Sequence, residues 1–281
     1  MDFVDDPEKL NMLKSTGKDF ELDREKHWFA IAEDGSCALF DKDCKIDNLS
    51  KVKKITAGMI RKDIKSINIP DSVEIIGDGA FYNRKYLESV IIPDSVESIG
   101  RGAFYNCTSL TNIVIPDSVT NIGYEAFSYC SSLKNIIIPN LVASIGYRAF
   151  FNCKSLESVN IPDSVENIGD WVFADCKSLT SINIPDSVES IGRYAFADCY
   201  SLESINISDS VKSIRDYAFS NCASLESIII PDSVTSIGYR AFNWCKSLRE
   251  VIFKNKTLEE VKSMYYYPWG IKDESIIRCE K

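Results

Sequence analysis

Imidazole is almost missing from this sequence, since His27 is the single histidine among 281 residues. That removes most Ser-His-Asp hydrolase triads, multi-histidine zinc sites and two-histidine iron sites. No stretch approaches the ~18 to 20 uncharged apolar residues that a bilayer crossing requires, so a soluble chain without a membrane span is expected. Basic clusters are missing as well. With 32 Lys and Arg against 41 Asp and Glu the net charge is −9, and nucleic-acid affinity rests on basic side chains displacing counterions, so nucleic acid is not expected as a partner. Met1 to Glu25 mixes Asp, Glu and Lys and offers no apolar segment of roughly 7 to 15 residues for export, so a chain starting at Met1 is expected to stay inside the cell. There is no phosphate-cradling glycine loop and no nucleophile, base and oxyanion-donor set; Cys37 and Cys44 lack metal-ligand spacing. No enzyme activity and no cofactor or metal site are expected.

What the sequence does have is a repeat. Prolines fall at Pro70, Pro93, Pro116, Pro139, Pro162, Pro185 and Pro231, and phenylalanines at Phe81, Phe104, Phe127, Phe150, Phe173, Phe196, Phe219 and Phe242, which sets a period of 23. One unit, Leu110 to Ser132, reads L-x-x-I-x-I-P-D-S-V-x-x-I-G-x-x-A-F-x-x-C-x-S, and about eight such units run from Ile64 to Leu248. Leu110-x-x-Ile113-x-Ile115 alternates with period two and stops at Pro116, which has no N–H to give a ladder, so it reads as a short strand. Asp117-Ser118 carries turn chemistry, and Ala126-Phe127-x-x-Cys130 suits one helical or 3₁₀ turn. A lone unit cannot bury its apolar edge. Stacked copies can, which predicts an α/β solenoid with a parallel sheet on one face, short helical or 3₁₀ turns on the other and caps at both ends. At ~4.8 Å per rung the sheet would run roughly 40 Å.

The unit resembles the BspA-like class of leucine-rich repeat proteins over roughly Lys65 to Val251. That resemblance implies protein binding or adhesion, and a cell-surface or secreted setting. The expected division is an N-terminal cap over residues 1–63, with a hairpin and a degenerate first rung, a solenoid over 64–253, and a C-terminal cap over 254–281. In the first cap, His27 to Ala32 and Cys37 to Asp41 flank the turn sequence Glu33-Asp34-Gly35-Ser36, and Val52-x-x-Ile55 echoes the later rungs. In the last, Thr257-Leu258-Glu259-Glu260 fits a capping box, and Tyr265-Tyr266-Tyr267-Pro268-Trp269 reads as a plug over the final rung.

Three columns invite chemistry. Cys107, Cys130, Cys153, Cys176, Cys199, Cys222 and Cys245 stack with parallel Cβ vectors, which opposes disulfides, so buried free thiols are expected. Asp71, Asp94, Asp117, Asp163, Asp186, Asp209 and Asp232 form a like-charged column; each is expected to accept N–H bonds from its own turn in water, with a calcium or cationic-partner ladder as the sharper alternative. Glycine precedes the turn in every unit except at Arg215, and the expectation is that this column has ordinary φ and uses Gly for close packing.

Two faces are candidates for a protein partner. On the sheet, the outward position between the isoleucine columns carries Ile91, Val114, Ile137, Asn160, Asn183 and Asn206; the first three would form an apolar strip, although β-branched residues favour strands in any case. On the turn side, Tyr124, Tyr147 and Tyr239 occupy one variable column and Trp171, Tyr194 and Tyr217 the next, either as partner anchors or packed over neighbouring rungs. The function expected is a non-enzymatic protein-binding or adhesion module. The alternative is a structural or receptor-contacting component of a virion or large assembly.

Overall fold

The computed structural model describes residues 53–58, 60 and 62–280, together with the backbone of His27–Ile31, Cys37–Asp41 and Ile46–Asp47. The repeats stack as in-register coils. Ser66–Asn68 pairs parallel with Ser89–Ile91, Asn135–Ile137 with Ser158–Asn160, and Ser181–Asn183 with Ser204–Asn206. Each step is one 23-residue unit, so equivalent side chains superpose along the stack. Ser227–Ile230 then pairs with Glu250–Lys254, which pairs in turn with Ile277–Glu280.

A second ladder, which the alternation alone does not announce, runs through the Val-x-x-Ile segments. Lys54–Ile55, Ile75–Ile76, Ser98–Ile99 and Asn121–Ile122 pair in succession, as do Asn167–Ile168, Ser190–Ile191, Ser213–Ile214 and Ser236–Ile237. Between the two groups the ladder thins to one bridge, Ile122 to Ile145. The rung involved is the one where Asn140-Leu141 replaces Asp-Ser. At Ser95, Ser118, Ser164, Ser187 and Ser210 the serine of that pair clamps the preceding coil, as Ser118 Oγ does in donating to Val96 O at 2.6 Å, whereas Ser233 Oγ is buried without a partner among the described residues and Leu141 has no hydroxyl to donate.

The turn side corrects the expected α/β description. Among the described residues the helices are Leu258–Ser263 and the 3₁₀ turn Glu274–Ile276, both beyond the repeats. In each repeat the residues two before and two after the phenylalanine have positive φ, for example Glu125 and Tyr129 around Phe127. A helix cannot pass through such residues. The alternation instead sends every second N–H to the next coil: Glu125, Phe127 and Tyr129 donate to Tyr147, Ala149 and Phe151, while Ala126 and Ser128 bond locally to Gly123 and Glu125. The turns are therefore a third inter-coil ladder, and it satisfies the backbone without helix or strand.

The interior is a set of columns. Phe81 to Phe242 are all buried and stacked, with centroids 4.8 to 5.8 Å apart and planes within 12°. Offset parallel rings at this spacing suit the aromatic quadrupole. Glycine in the turn-entry column has ordinary φ, and so has Arg215. Space is the reason for glycine here: a Cβ on Gly123 would lie 2.6 Å from Gly100 C and 2.7 Å from Arg101 N of the coil below.

At the amino-terminal side, His27–Ile31 and Cys37–Asp41 pair antiparallel; the connecting residues 32–36, and Val52, lie outside the described residues. At the other end the capping box forms, with Thr257 N–H donating to Glu260 Oε2 at 2.7 Å and Glu260 N–H to Thr257 Oγ1 at 3.3 Å. The aromatic cluster divides. Trp269 is buried against Phe253, and its carbonyl accepts from Phe242 N–H, whereas Tyr265 and Tyr266 are exposed.

Candidate protein-contact faces

The cysteine column is chemically quiet. Cys107 to Cys222 are buried free thiols, and Cys245 is half-buried. Each donates to the phenylalanine carbonyl of the preceding coil, as in Cys130 Sγ to Phe104 O at 3.1 Å. Burial pushes the Cys107 and Cys153 thiols up to about 12, and those of Cys130, Cys176 and Cys222 well above the usual range. Thiolates are the nucleophilic form, so these side chains behave as small hydrophobes. In the first full rung Arg84 replaces the cysteine. Its guanidinium is buried, reaches the Ile60 carbonyl of the preceding coil and donates to Tyr82 O at 2.7 Å, so it serves the same link from a longer arm.

The aspartate column differs from expectation in its hydrogen bonds. All seven residues are exposed, but among the described residues the turn is held by the neighbouring serines, and only Asp232 of the column has a side-chain partner, Lys256 Nζ at 2.9 Å. A carboxylate in water keeps its solvation, and the serine hydroxyl is the better placed donor toward the coil below.

On the sheet face the six outward candidates fall in one line, as the strand register requires. Ile91 is 62% exposed, Val114 79% and Ile137 70%. They are apolar side chains that none of the described residues covers. The asparagines beyond are exposed, and two of them are linked across rungs, Asn206 Nδ2 donating to Asn183 Oδ1 at 2.7 Å. Past them a shallow open cleft of about 910 Å³ runs over Asn183, Asn206 and Ile229 toward Asp232 and Lys254.

The aromatic candidates on the turn side are brought together into a longer path than the columns suggest. Trp171 stacks on Tyr194 at 4.1 Å and Tyr194 on Tyr217 at 4.7 Å; Tyr217 meets Tyr239 edge-on at 5.6 Å, and Tyr239 meets Tyr266 at the same distance. In the other direction the path continues from Trp171 through Phe151, Tyr129 and Tyr105 to Tyr82. Tyr124 and Tyr147 sit beside it, 6.4 Å apart. Arg148 fills the crossing point, its guanidinium carbon 5.0 Å from the Tyr147 and Trp171 ring centres and 5.1 Å from Phe151. Reading the sequence by column misses this because the path drifts across columns from rung to rung. Trp171, Tyr194 and Tyr217 spend their faces on one another, whereas Tyr82, Tyr124, Tyr147, Tyr239 and Tyr266 stay exposed.

Among the described residues no group of three or more His, Cys, Asp or Glu side chains is arranged to hold a metal ion, and no helix is long and apolar enough to cross a membrane. The family model described as "BspA type Leucine rich repeat region" matches residues 60–180 and 172–276 in six copies. The chain belongs to the BspA-type leucine-rich repeat family. A solved leucine-rich repeat protein from Bacteroides ovatus is 28% identical, with a TM-score of 0.71, over 94% of this chain and 76% of that one. A T. pallidum leucine-rich repeat protein is 25% identical over 82% of this chain and 91% of that one, with a TM-score of 0.46. No curated protein matches.

Proposed function

We propose that this BspA-type chain is a non-enzymatic protein-binding module of the adhesion kind, and that it engages its partner through the outward sheet face around Ile91, Val114 and Ile137. The observation that carries this reading is the exposure of three consecutive apolar rungs in a line fixed by strand register. Apolar side chains held together at rung spacing, with serine and asparagine beside them, have the make-up of an interface core with a polar rim. A repeat family that builds long surfaces without a convergent polar pocket fits a binding role better than catalysis. The same reading assigns residues 1–63 and 254–281 to closing the two ends of the stack, supported at the second end by Trp269 against Phe253. A virion component is favoured neither by the family nor by the bacterial relative.

The test is binding to a panel of purified extracellular-matrix proteins by the wild type, by Val114→Glu and by Ile137→Glu. Loss of binding in both variants at unchanged melting temperature is expected. Binding that persists in both at wild-type strength would reject the sheet face as the contact surface.

A further inference from the structure

The charged column at the start of the strands carries a pattern that the fold itself does not use. Reading along five rungs, it runs Lys65, Glu88, Thr111, Lys134, Glu157, while the apolar column runs Asn68, Ile91, Val114, Ile137, Asn160. Opposite charges sit on adjacent rungs, yet among the described residues Lys65, Glu88, Lys134 and Glu157 make no ion pair, although Glu226 farther along holds Arg249. All four are exposed. Both columns turn about their middle: reversed end to end, plus lies where minus was, neutral stays neutral, and apolar stays apolar.

We propose that these five rungs seat a second copy of this chain, the two copies related by a two-fold axis that lies along the strands and passes over Val114. This inference rests on the sheet-face reading above and names its partner. Such an axis keeps each column opposite itself and reverses the order of rungs. Val114 then meets its own copy, Ile91 meets Ile137, and Asn68 meets Asn160. Lys65 comes against Glu157, and Glu88 against Lys134, each twice, as an isologous interface demands. In the turn beyond the strands Asp94 faces Asn140, the one position where the aspartate column is interrupted. Asp117 faces its own copy and Asp71 faces Asp163, at the rim, where water screens them. Turning the second copy about the stack axis instead brings Glu88 against Asp94 and Glu157 against Asp163 and gains only Lys65 against Asp71, so charge favours the first arrangement. Four outward positions on each of five rungs give about 20 residues a side, at the lower end of a standard interface, and a dimer with a dissociation constant in the micromolar range is expected.

Charge reversal tests this without disturbing the core. Full-length protein is followed by sedimentation velocity from about 1 to 500 μM. Wild type is expected to pass from monomer to dimer across this range. Glu88→Lys alone sets two lysine side chains against each other at both Lys134 contacts, and Lys134→Glu alone does the same with two glutamates, so each is expected to weaken self-association by about tenfold or more. Equal mixing of the two singly reversed chains restores both pairs and is expected to restore the dimer, as is the double variant E88K/K134E. A wild type that stays monomeric throughout would overturn the inference, as would single reversals that associate normally or a mixture that fails to recover. If the wild type is monomeric while Val114→Glu still abolishes matrix-protein binding, the inference falls and the sheet-face reading stands. If the dimer behaves as described but matrix-protein binding ignores Val114→Glu, the sheet face is a contact surface for the second copy and matrix proteins bind elsewhere.

Discussion

The sheet face and the turn face of this solenoid both carry large apolar side chains, but they treat them differently. On the turn face Trp171, Tyr194 and Tyr217 stack on one another and Arg148 is wrapped by three rings. On the sheet face Ile91, Val114 and Ile137 stand in line, uncovered by any of the described residues. Residue type alone would favour the aromatic face as a contact surface, since Tyr and Trp dominate interface energetics. The geometry reverses that preference, because a ring face already engaged by its neighbour has little left to offer a partner.

Both faces hang on the same interior, and the largest expected effects come from there. The buried thiols stay protonated in the folded chain to about 12 at Cys107 and Cys153, against 9.0 for an unperturbed thiol. Their contribution is whole below pH 9 and is lost as pH rises toward 12, because the unfolded chain releases those protons first. Each costs about 1.4 kcal/mol per pH unit in that window, so these two alone steepen the loss by about 3 kcal/mol per unit. Denaturant unfolding at pH 7, 9 and 10 measures it; a flat profile above pH 9 would contradict the buried column. Next comes Phe150→Ala, which opens a cavity in the stacked phenylalanines and is expected to cost about 3 to 5 kcal/mol by the same measurement.

Glycine then separates tight stacking from loose. Gly123→Ala drives a Cβ into backbone 2.6 Å away, whereas a Cβ on Gly169, past the rung where the second ladder is interrupted, meets nothing closer than 3.4 Å. The first substitution is expected to cost about 1 to 3 kcal/mol and the second a few tenths. Equal costs would mean that the interruption is not a loosening of the stack. The smallest effects distinguish the faces themselves. Tyr194→Ala is expected to lower stability by about 1 kcal/mol through its two stacked neighbours, while Val114→Glu is expected to stay within about 0.5 kcal/mol of wild type. Alanine is the right replacement at Tyr194, since glycine would also relax its left-handed backbone, φ 54°, and mask the lost stack.

The period of 23 makes the stack, its parallel register and its interior columns legible from spacing, because every interior position repeats. The glycine column is legible for a related reason: Arg215 already shows that the position does not demand positive φ. On the turn side spacing misleads. Ala126-Phe127-x-x-Cys130 has helical spacing, but Glu125 and Tyr129 are left-handed, a property of the inter-coil ladder rather than of those residue types. The serine clamp hides behind the aspartates for the same reason, as its acceptor, Val96 O for Ser118, lies 22 residues back in the neighbouring coil. Of the two candidate faces, the in-line strip is readable by counting, whereas the aromatic path depends on ring orientations that shift column between rungs.

The contrast between the two faces meets its most direct test in one paired binding measurement against a matrix protein that the wild type binds. V114E/I137E and Y194A/Y217A are compared at a temperature where all three chains are folded. Loss of binding in the first pair with retention in the second is the result predicted. Retention in the first and loss in the second would contradict it.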